Sequence, residues 1–479
     1  MKNIVLIHAP IDSRYLNAST LFAPSLGLLS IKSYLESKDD AFEVTILDGM
    51  IMEKEKIIDE LVRLKPDFVG LSIQLCSYKI AVEIARVAKG LDACVFMGGH
   101  HATHMAPIIM QHKSDIVDCI ICRDGEVAAY AICSEVPFDK IENIVFYDKR
   151  NGKVIVKKRI NLTLSTLPNP YLAKDIDYAP YTENLRKSKF KFNKGSYYRI
   201  YSHKGCAYRK CGTRCVFCGR ADVGYRFTSI KKYFEYFTLL NIGNDDFVFD
   251  VGDDLLGDVA WINRALKFKE RHYPDTNFNI GIFGRGDEVD EDSVKLLKKL
   301  GVCDITIGVE SGDDLVLRTV GKSKNAVTTA DVYIDAAKIL FSNGISMTPS
   351  YVFGVHGESP KSIENTINHA KKLNNMAFDI MGEHLGEIVA NLIEPLPGSR
   401  AFEMLKQYYP DKYEYTDELD WEEMQKDYFS IVLKFRNDAE YKAYRKTLSE
   451  AGREINELTG FADSQGWLKE EMSMGLFNN

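Results

Sequence analysis

The strongest constraint on this chain is an alternation of strand and helix signals that runs along it twice. In the first block Lys2–His8 is a continuous apolar run of strand length, Leu26–Ser37 has helical character, Glu43–Leu47 reads as a strand and Glu53–Leu64 as a helix. Asp67–Ile73 then reads as a strand, Tyr78–Leu91 as a helix, Ala93–Met97 as a strand ending at Gly98-Gly99, Ile116–Cys122 as a strand and Glu126–Cys133 as a helix. Such an order predicts a parallel sheet covered by helices on both faces, because parallel neighbours need a crossover between them. Ligands of these sheets sit beyond the carboxyl ends of the strands. The second block has candidate strands at Tyr198–Ser202, Phe247–Val251, Phe278–Phe283, Asp304–Val309, Met347–Phe353 and Glu387–Leu392, with helices such as Ser293–Leu300 and Ala326–Asn343 between them. Six such units predict an α/β fold of the open or partial (β/α)6 barrel kind, with its active site at the carboxyl ends of the strands.

The remaining stretches are of other kinds. Phe146–Lys158 has hairpin character around Asn151-Gly152, Leu167-Pro168-Asn169-Pro170 cannot be helix, and the basic run Lys187–Lys194 reads as a solvated loop. Beyond Arg400 the signal turns helical and charged over Asp417–Ile455, where Trp421, Tyr428 and Phe435 either cover the barrel mouth or serve packing. The expected organisation is a Rossmann-like domain at 1–140, a connector at 141–195, the partial barrel at 196–400 and a helical region at 401–479. A length of 479 residues agrees with two to four domains at roughly 100–200 residues each. The formal charge of −7 argues against a general nucleic-acid-binding protein. The apolar run at the N-terminus is too short for a signal peptide, and no stretch is apolar enough to span a bilayer, so the expectation is a cytoplasmic protein without a membrane partner.

Ten cysteines in such a chain do not form a disulfide framework, since a reducing compartment keeps thiols free. Four of the ten lie between Cys206 and Cys218. Cys211, Cys215 and Cys218 have C-x3-C-x2-C spacing, which lets a short loop aim three thiolates at one cubane cluster. Fully ligated clusters take four cysteines, so three leave one iron open for a small molecule. Two other readings of the spacing stand beside this one. A zinc site would need a fourth ligand, which Cys206 or His203 could supply, and the thiols could also be unliganded.

The cysteine spacing, Phe217 before the last cysteine, and the position after the first barrel strand resemble the radical S-adenosylmethionine (SAM) superfamily. The resemblance implies a 4Fe–4S cluster held by Cys211, Cys215 and Cys218, whose open iron chelates SAM and whose electron cleaves it to a 5′-deoxyadenosyl radical. Gly205-Cys206 lies five residues before Cys211, where relatives have Gly-Cys as the first cysteine of the motif; spacing favours Cys211 and leaves the role of Cys206 open. Ile307-Gly308-Val309-Glu310-Ser311-Gly312 resembles the family segment whose carboxylate binds the SAM ribose, which makes Glu310 and Ser311 SAM contacts. Gly284-Arg285-Gly286-Asp287 resembles a position near SAM and adds Arg285; Asp253, with Asp250 and Asp254, lies where the family contacts the SAM amino group, a looser match. Phe353-Gly354-Val355-His356-Gly357-Glu358 resembles the fifth-strand turn, and Pro395-Leu396-Pro397-Gly398 the end of the barrel.

The first block resembles the cobalamin-binding domain found ahead of many radical SAM cores, through Pro24-Ser25-Leu26-Gly27-Leu28-Leu29, Lys65-Pro66-Asp67-Phe68-Val69-Gly70-Leu71-Ser72, Gly98-Gly99-His100-His101-Ala102-Thr103 and Arg123-Asp124-Gly125-Glu126. The implied cobalamin contacts are Ser72, Gly98, Gly99 and His100, where a glycine pair lets a bulky ligand approach the backbone. The Asp-x-His-x-x-Gly sequence that ligates cobalt elsewhere is absent, since the corresponding region is Asp48-Gly49-Met50-Ile51, so the lower face of cobalt should lack a histidine from that motif. The function implied is methyl transfer from methylcobalamin to an unactivated carbon through a substrate radical, with one SAM methylating the cofactor and another making the radical. The substrate would be a small molecule or peptide, and an external donor of the flavodoxin or ferredoxin type would supply electrons. Two alternatives remain: rearrangement, cyclisation or ring contraction with the same cofactors, and a non-catalytic cobalamin- or metal-binding regulatory protein.

Overall fold

Continuous apolar runs build the first sheet. In strand β1 (Lys2–His8) the side chains of Ile4, Val5, Leu6 and Ile7 are all fully buried, as expected of a strand covered on both faces. β1 pairs in parallel with β2 (Phe42–Asp48) on one side, Ile4 opposite Val44, and with β3 (Phe68–Ser72) on the other, Ile4 opposite Phe68. β4 (Cys94–Gly98) and β5 (Cys119–Ile121) continue the parallel ladder. β6 (Ile144–Asp148) and β7 (Lys153–Val156) are the hairpin expected around Asn151-Gly152. They add antiparallel to β5, so the hairpin read from sequence as part of a connector belongs to this seven-stranded sheet, ordered β2-β1-β3-β4-β5-β6-β7. The helix Lys54–Leu64 shows the amphipathic logic of its covering layer, burying Ile57 and Leu61.

The computed structural model describes residues 1–11, 21–188, 190–210, 214–322, 329–435 and 437–459, and these divide into two compact units. The first unit holds Met1–Tyr181 with Gly219–Asp222 and Leu396–Trp421; the second holds Thr182–Cys218, Val223–Pro395 and the chain from Glu422 onward. Among the described residues no helix is long and apolar enough to cross a membrane.

The second unit is built on β8 (Tyr197–Ile200), β11 (Phe247–Asp250), β12 (Asn279–Gly284), β13 (Val302–Glu310), β14 (Ser346–Phe353) and β15 (Val389–Leu392), all parallel and in chain order across the sheet. A short antiparallel pair, β9 (His203–Lys204) with β10 (Arg226–Phe227), stands apart. β8 and β15 are the two edges, so the barrel is partial, as the six strand signals predict. Alternation along β13 is clear: Val302, Ile305, Ile307 and Val309 are buried, while Asp304, Thr306 and Gly308 on the opposite face are partly accessible. The helices that follow the strands start at capping side chains. Ser229, Asp258, Asp290, Asp313 and Ser359 each accept a backbone N–H from the first turn of their helix. Toward the C-terminus Tyr428 and Phe429 are fully buried and the Phe435 ring packs on Tyr441 and Tyr444, so for Tyr428 and Phe435 the packing reading of the sequence is the one realised. Asn456 accepts the backbone N–H of Ala390 at 3.0 Å and closes the β15 edge.

Both sheets therefore present their loops at strand carboxyl ends. In the first sheet β2 is added on one side of β1 and β3 on the other, so the strand order reverses there and the crevice between β1 and β3 is the topological switch point. Gly99, just after β4, has φ 104° and ψ −179°, a region reserved for glycine, and an added Cβ would lie 2.8 Å from the carbonyl oxygen of Ile73. Gly99→Ala should therefore destabilise the first unit by about 1–3 kcal/mol, read as a lower midpoint in chemical denaturation followed by near-ultraviolet circular dichroism.

Candidate functional site

At the carboxyl end of β13 the ladder with β14 slips between Gly308 and Glu310, and Glu310 takes φ 69°. A bulge of this kind re-aims a side chain, and a non-glycine residue in the left-handed region marks a place where the fold imposes the conformation. The Glu310 carboxylate is buried and accepts a hydrogen bond from Lys322 Nζ at 2.7 Å. Lys322 Nζ also donates to the carbonyl of Gly308. Burial acts to lower the Lys322 pKa, but the charge of Glu310 prevails and holds the ammonium above its ordinary value. A Cβ at Gly308 would crowd Glu310 Oε1 and Lys322 Nζ, so a larger residue there would make the ion pair shift. The sequence points to Glu310 but not to Lys322, because nothing local signals that a lysine 12 residues further on folds back onto the strand.

The cysteine loop lies in the same unit. Cys218 donates its backbone N–H to the carbonyl of Cys215 at 3.1 Å, so these two share one turn. Cys211, the third cysteine of the predicted set, lies outside the described residues, and among those described no three His, Cys, Asp or Glu side chains converge as metal ligands. Burial pushes the Cys215 thiol up to about 12, with Lys322 and Arg285 pulling it down and Glu310 and Cys218 pushing it up. A buried thiol of this kind needs a strong cation to become a thiolate, which is what iron supplies, so the residues present fit a cluster. Cys206 has different surroundings. Burial raises its thiol, the backbone N–H groups of Arg209 and Tyr208 lower it, and the charges of Asp254 and Asp253 raise it further. His203 is fully buried, with Nδ1 2.8 Å from Ser202 Oγ and Nε2 accepting the backbone N–H of Asp254 at 3.1 Å. Both its nitrogens are thus engaged, which removes it as the fourth ligand of a zinc site.

The other residues expected near SAM fall into the same half-barrel with mixed roles. Arg285 grips Asp287 through two hydrogen bonds of 3.0 and 2.8 Å and donates to the Lys322 carbonyl at 2.5 Å, with its guanidinium 4.5 Å from the centre of the Tyr208 ring. Ser311 is buried, with Oγ 3.0 Å from Thr366 Oγ1 and accepting the backbone N–H of Asp313 at 3.2 Å. Asp250, at the end of β11, accepts the backbone N–H groups of Ser202 and Gly252, each at 3.0 Å, while burial pushes it up to about 6. Asp253 and Asp254 follow in the loop. In the turn after β14, Glu358 accepts the backbone N–H of Gly354 at 2.6 Å and the Tyr444 hydroxyl at 3.2 Å.

In the first unit Ser72 ends β3 at the switch point, where its carbonyl accepts the backbone N–H of Ala9 at 3.1 Å. Gly98 ends β4, and an added Cβ there would meet nothing nearer than 3.6 Å, so the strand end is bare backbone. Bare strand ends at a switch point fit a large planar cofactor. Asp48 ends β2 with its carboxylate buried and bound to His8 Nδ1 at 3.1 Å, the Tyr181 hydroxyl at 2.6 Å and the Met50 backbone N–H at 3.0 Å. Burial acts to raise its pKa, but these partners, His8 foremost, hold it below the usual value. His100 Nδ1 accepts the backbone N–H of Ala221 at 3.0 Å and His104 Nε2 lies 3.1 Å from the carbonyl oxygen of Gly219, so both brace the segment Gly219–Asp222. His101 is buried beside the Tyr78 ring, and burial, then His104, pushes its pKa down to about 3, which keeps it neutral.

Comparison with known proteins agrees with both halves of this description. Residues 15–133 match the B12 binding domain family, and residues 206–370 match the radical SAM superfamily. The chain is 24% identical over 413 residues to the uncharacterized methyltransferase PH0819 of Pyrococcus horikoshii, covering 84% of this chain and 82% of that protein. It is 24% identical over 355 residues to the anaerobic magnesium-protoporphyrin IX monomethyl ester cyclase of Rubrivivax gelatinosus, covering 69% of this chain and 59% of that one. The solved structure of TsrM from Kitasatospora setae, a radical SAM methyltransferase with cobalamin and a [4Fe-4S] cluster bound, shares the fold at a TM-score of 0.63 and 16% identity, over 85% of this chain and 75% of that one. The chain thus carries an N-terminal B12-binding domain followed by a radical SAM domain.

Glu358 supplies a pH test of the site's frame. Burial pushes its carboxyl up to about 8 against the two donors that face it. Its pKa in the folded state exceeds that of an unfolded glutamate, about 4.3, so between these values the folded state binds the extra proton. Its contribution is complete below the unfolded value and is lost as pH rises through the folded one. Thermal unfolding at pH 6 and pH 9 should show a smaller fall in Tm for Glu358→Gln than for the unaltered protein.

Proposed function

We propose that this chain, with its B12-binding and radical SAM domains, is a cobalamin-dependent enzyme that transfers a methyl group to an unactivated carbon. The observation that carries the reading is the bulge at Glu310, which sets a buried carboxylate within electrostatic reach of Cys215 at the mouth of a half-barrel. In this reading bound cobalamin supplies the methyl group, and the cluster with SAM supplies the radical that opens the substrate carbon to it.

The chain's own residues hold and orient these groups. Cys211, Cys215 and Cys218 ligate the cluster. Cys206 lies outside the C-x3-C-x2-C spacing, which supports leaving it out. Glu310 accepts hydrogen bonds from the SAM ribose, with Arg285, Ser311 and Asp253 around it. Ser72, Gly98 and Gly99 line the cobalamin crevice with His100 at its rim, and no histidine ligates cobalt. Support for that last point comes from Asp48, whose carboxylate is occupied by His8 and Tyr181, and from the backbone partners of His100 and His104. A small molecule or peptide segment is the substrate in this reading. An electron donor of the flavodoxin or ferredoxin type and a cytoplasmic location complete the proposal. A second reading, cyclisation or rearrangement with the same cofactors, is favoured by the likeness to the Rubrivivax cyclase.

Anaerobically reconstituted protein should release 5′-deoxyadenosine and S-adenosylhomocysteine in equal amounts with each methylated product; 5′-deoxyadenosine by itself would favour the second reading, and absence of bound cobalamin would overturn both. Cys211→Ala, Cys215→Ala and Cys218→Ala should each abolish iron binding while Cys206→Ala retains it, and stoichiometric zinc without iron would refute the cluster. Glu310→Ala should keep iron and lose about 1.5–3 kcal/mol of SAM binding, measured by equilibrium titration.

A further inference from the structure

We propose that Lys322 is a positioning residue that ties Glu310 to the segment at Cys215 and, as a buried cation on that segment's backbone anchor, raises the reduction potential of the cluster. The inference rests on the reading of the cysteines as cluster ligands.

Three successive carbonyls, those of Val320, Gly321 and Lys322, each accept a hydrogen bond from a different segment. Val216 donates its backbone N–H to Val320 at 3.0 Å, the Tyr208 hydroxyl donates to Gly321 at 2.6 Å, and Arg285 Nη2 donates to Lys322 at 2.5 Å. Tyr208 precedes Cys211 and Val216 follows Cys215, so described residues on both sides of the cysteine motif bond to this tripeptide. From the same tripeptide the Lys322 side chain turns back to β13, where its ammonium bonds Glu310 at 2.7 Å and the Gly308 carbonyl. One tripeptide therefore fastens the cluster loop by its backbone and the proposed SAM carboxylate by its side chain.

The Val216 hydrogen bond to Val320 brings the Lys322 segment to Cys215, whose thiol feels the charges of Lys322, Glu310, Cys218 and Arg285. Arg285 is already neutralised by its two hydrogen bonds to Asp287. The side chains of Lys322 and Glu310 are 12% and 8% exposed, so solvent and salt screen them poorly. The step concerned is transfer of one electron from an external one-electron reductant to the oxidised cluster, with no bond made or broken. That step adds negative charge, and net charge near a cluster is one of the terms that sets its potential. Lys322 favours reduction and Glu310 opposes it, so removing each should move the potential in opposite directions. A purely structural role for the pair predicts no such reversal.

The test is a redox titration of the reconstituted protein without SAM, followed by electron paramagnetic resonance, with iron and acid-labile sulfide measured on every sample. K322M should keep its iron and shift the midpoint to more negative potential, K322R should return it toward the unaltered value, and E310Q should shift it to more positive potential. SAM titrated into K322M should bind on the order of tenfold more weakly. A K322M midpoint equal to that of the unaltered protein overturns the inference. If K322M fails to take up iron, E310Q decides, and a zero or negative shift there overturns it. Unaltered protein that binds no iron overturns the cluster reading together with this inference, whereas unmoved potentials in loaded protein overturn this inference by itself.

Discussion

Parallel strand pairing is the constraint on which both units depend. A strand cannot pair in parallel with its successor until the chain has crossed back over the sheet, so helices cover the faces and loops gather at the strand ends. In the first unit this puts Asp48, Ser72 and Gly98 on one rim. In the second it puts Asp250, Gly284, Glu310 and Phe353 on another. The apolar runs of β1 and the outward side chains of β13 supply the burial that makes both scaffolds rigid, which frees the loops for chemistry.

Within the half-barrel, conformation and electrostatics are tied to each other. The left-handed backbone at Glu310 is unfavourable for a glutamate, and the Lys322 ion pair engages its carboxylate in that conformation. A buried carboxylate without its cation would lose several kcal/mol or take up a proton. The carbonyls of Val320, Gly321 and Lys322 bind this pair to Tyr208, Val216 and Arg285, so groups from distant parts of the chain form one network.

How much of this is legible in the sequence depends on the range of the interaction. The strands of both sheets follow from short apolar runs between turn signals, and the structure reproduces them within a residue or two. β5 is the larger departure, reduced from Ile116–Cys122 to Cys119–Ile121, because the backbone N–H groups of Ile116 and Val117 bond back to the carbonyl of Lys113 at the end of the preceding helix. The hairpin β6–β7 was visible as a hairpin, but its attachment to β5 was not, since nothing local states which edge a hairpin will join.

The sequence by itself determined the two-block α/β order, the cysteine spacing and the carboxylate at the end of β13, because each is written in residues close together along the chain. Only the tertiary structure decided that Lys322 closes on Glu310, that His203 is occupied by Ser202 and Asp254, and that His100 and His104 brace a segment more than a hundred residues away. These are contacts between side chains and partners that periodicity and propensity do not encode. They exist because packing brings the groups together in places where a polar atom left without a partner would be costly.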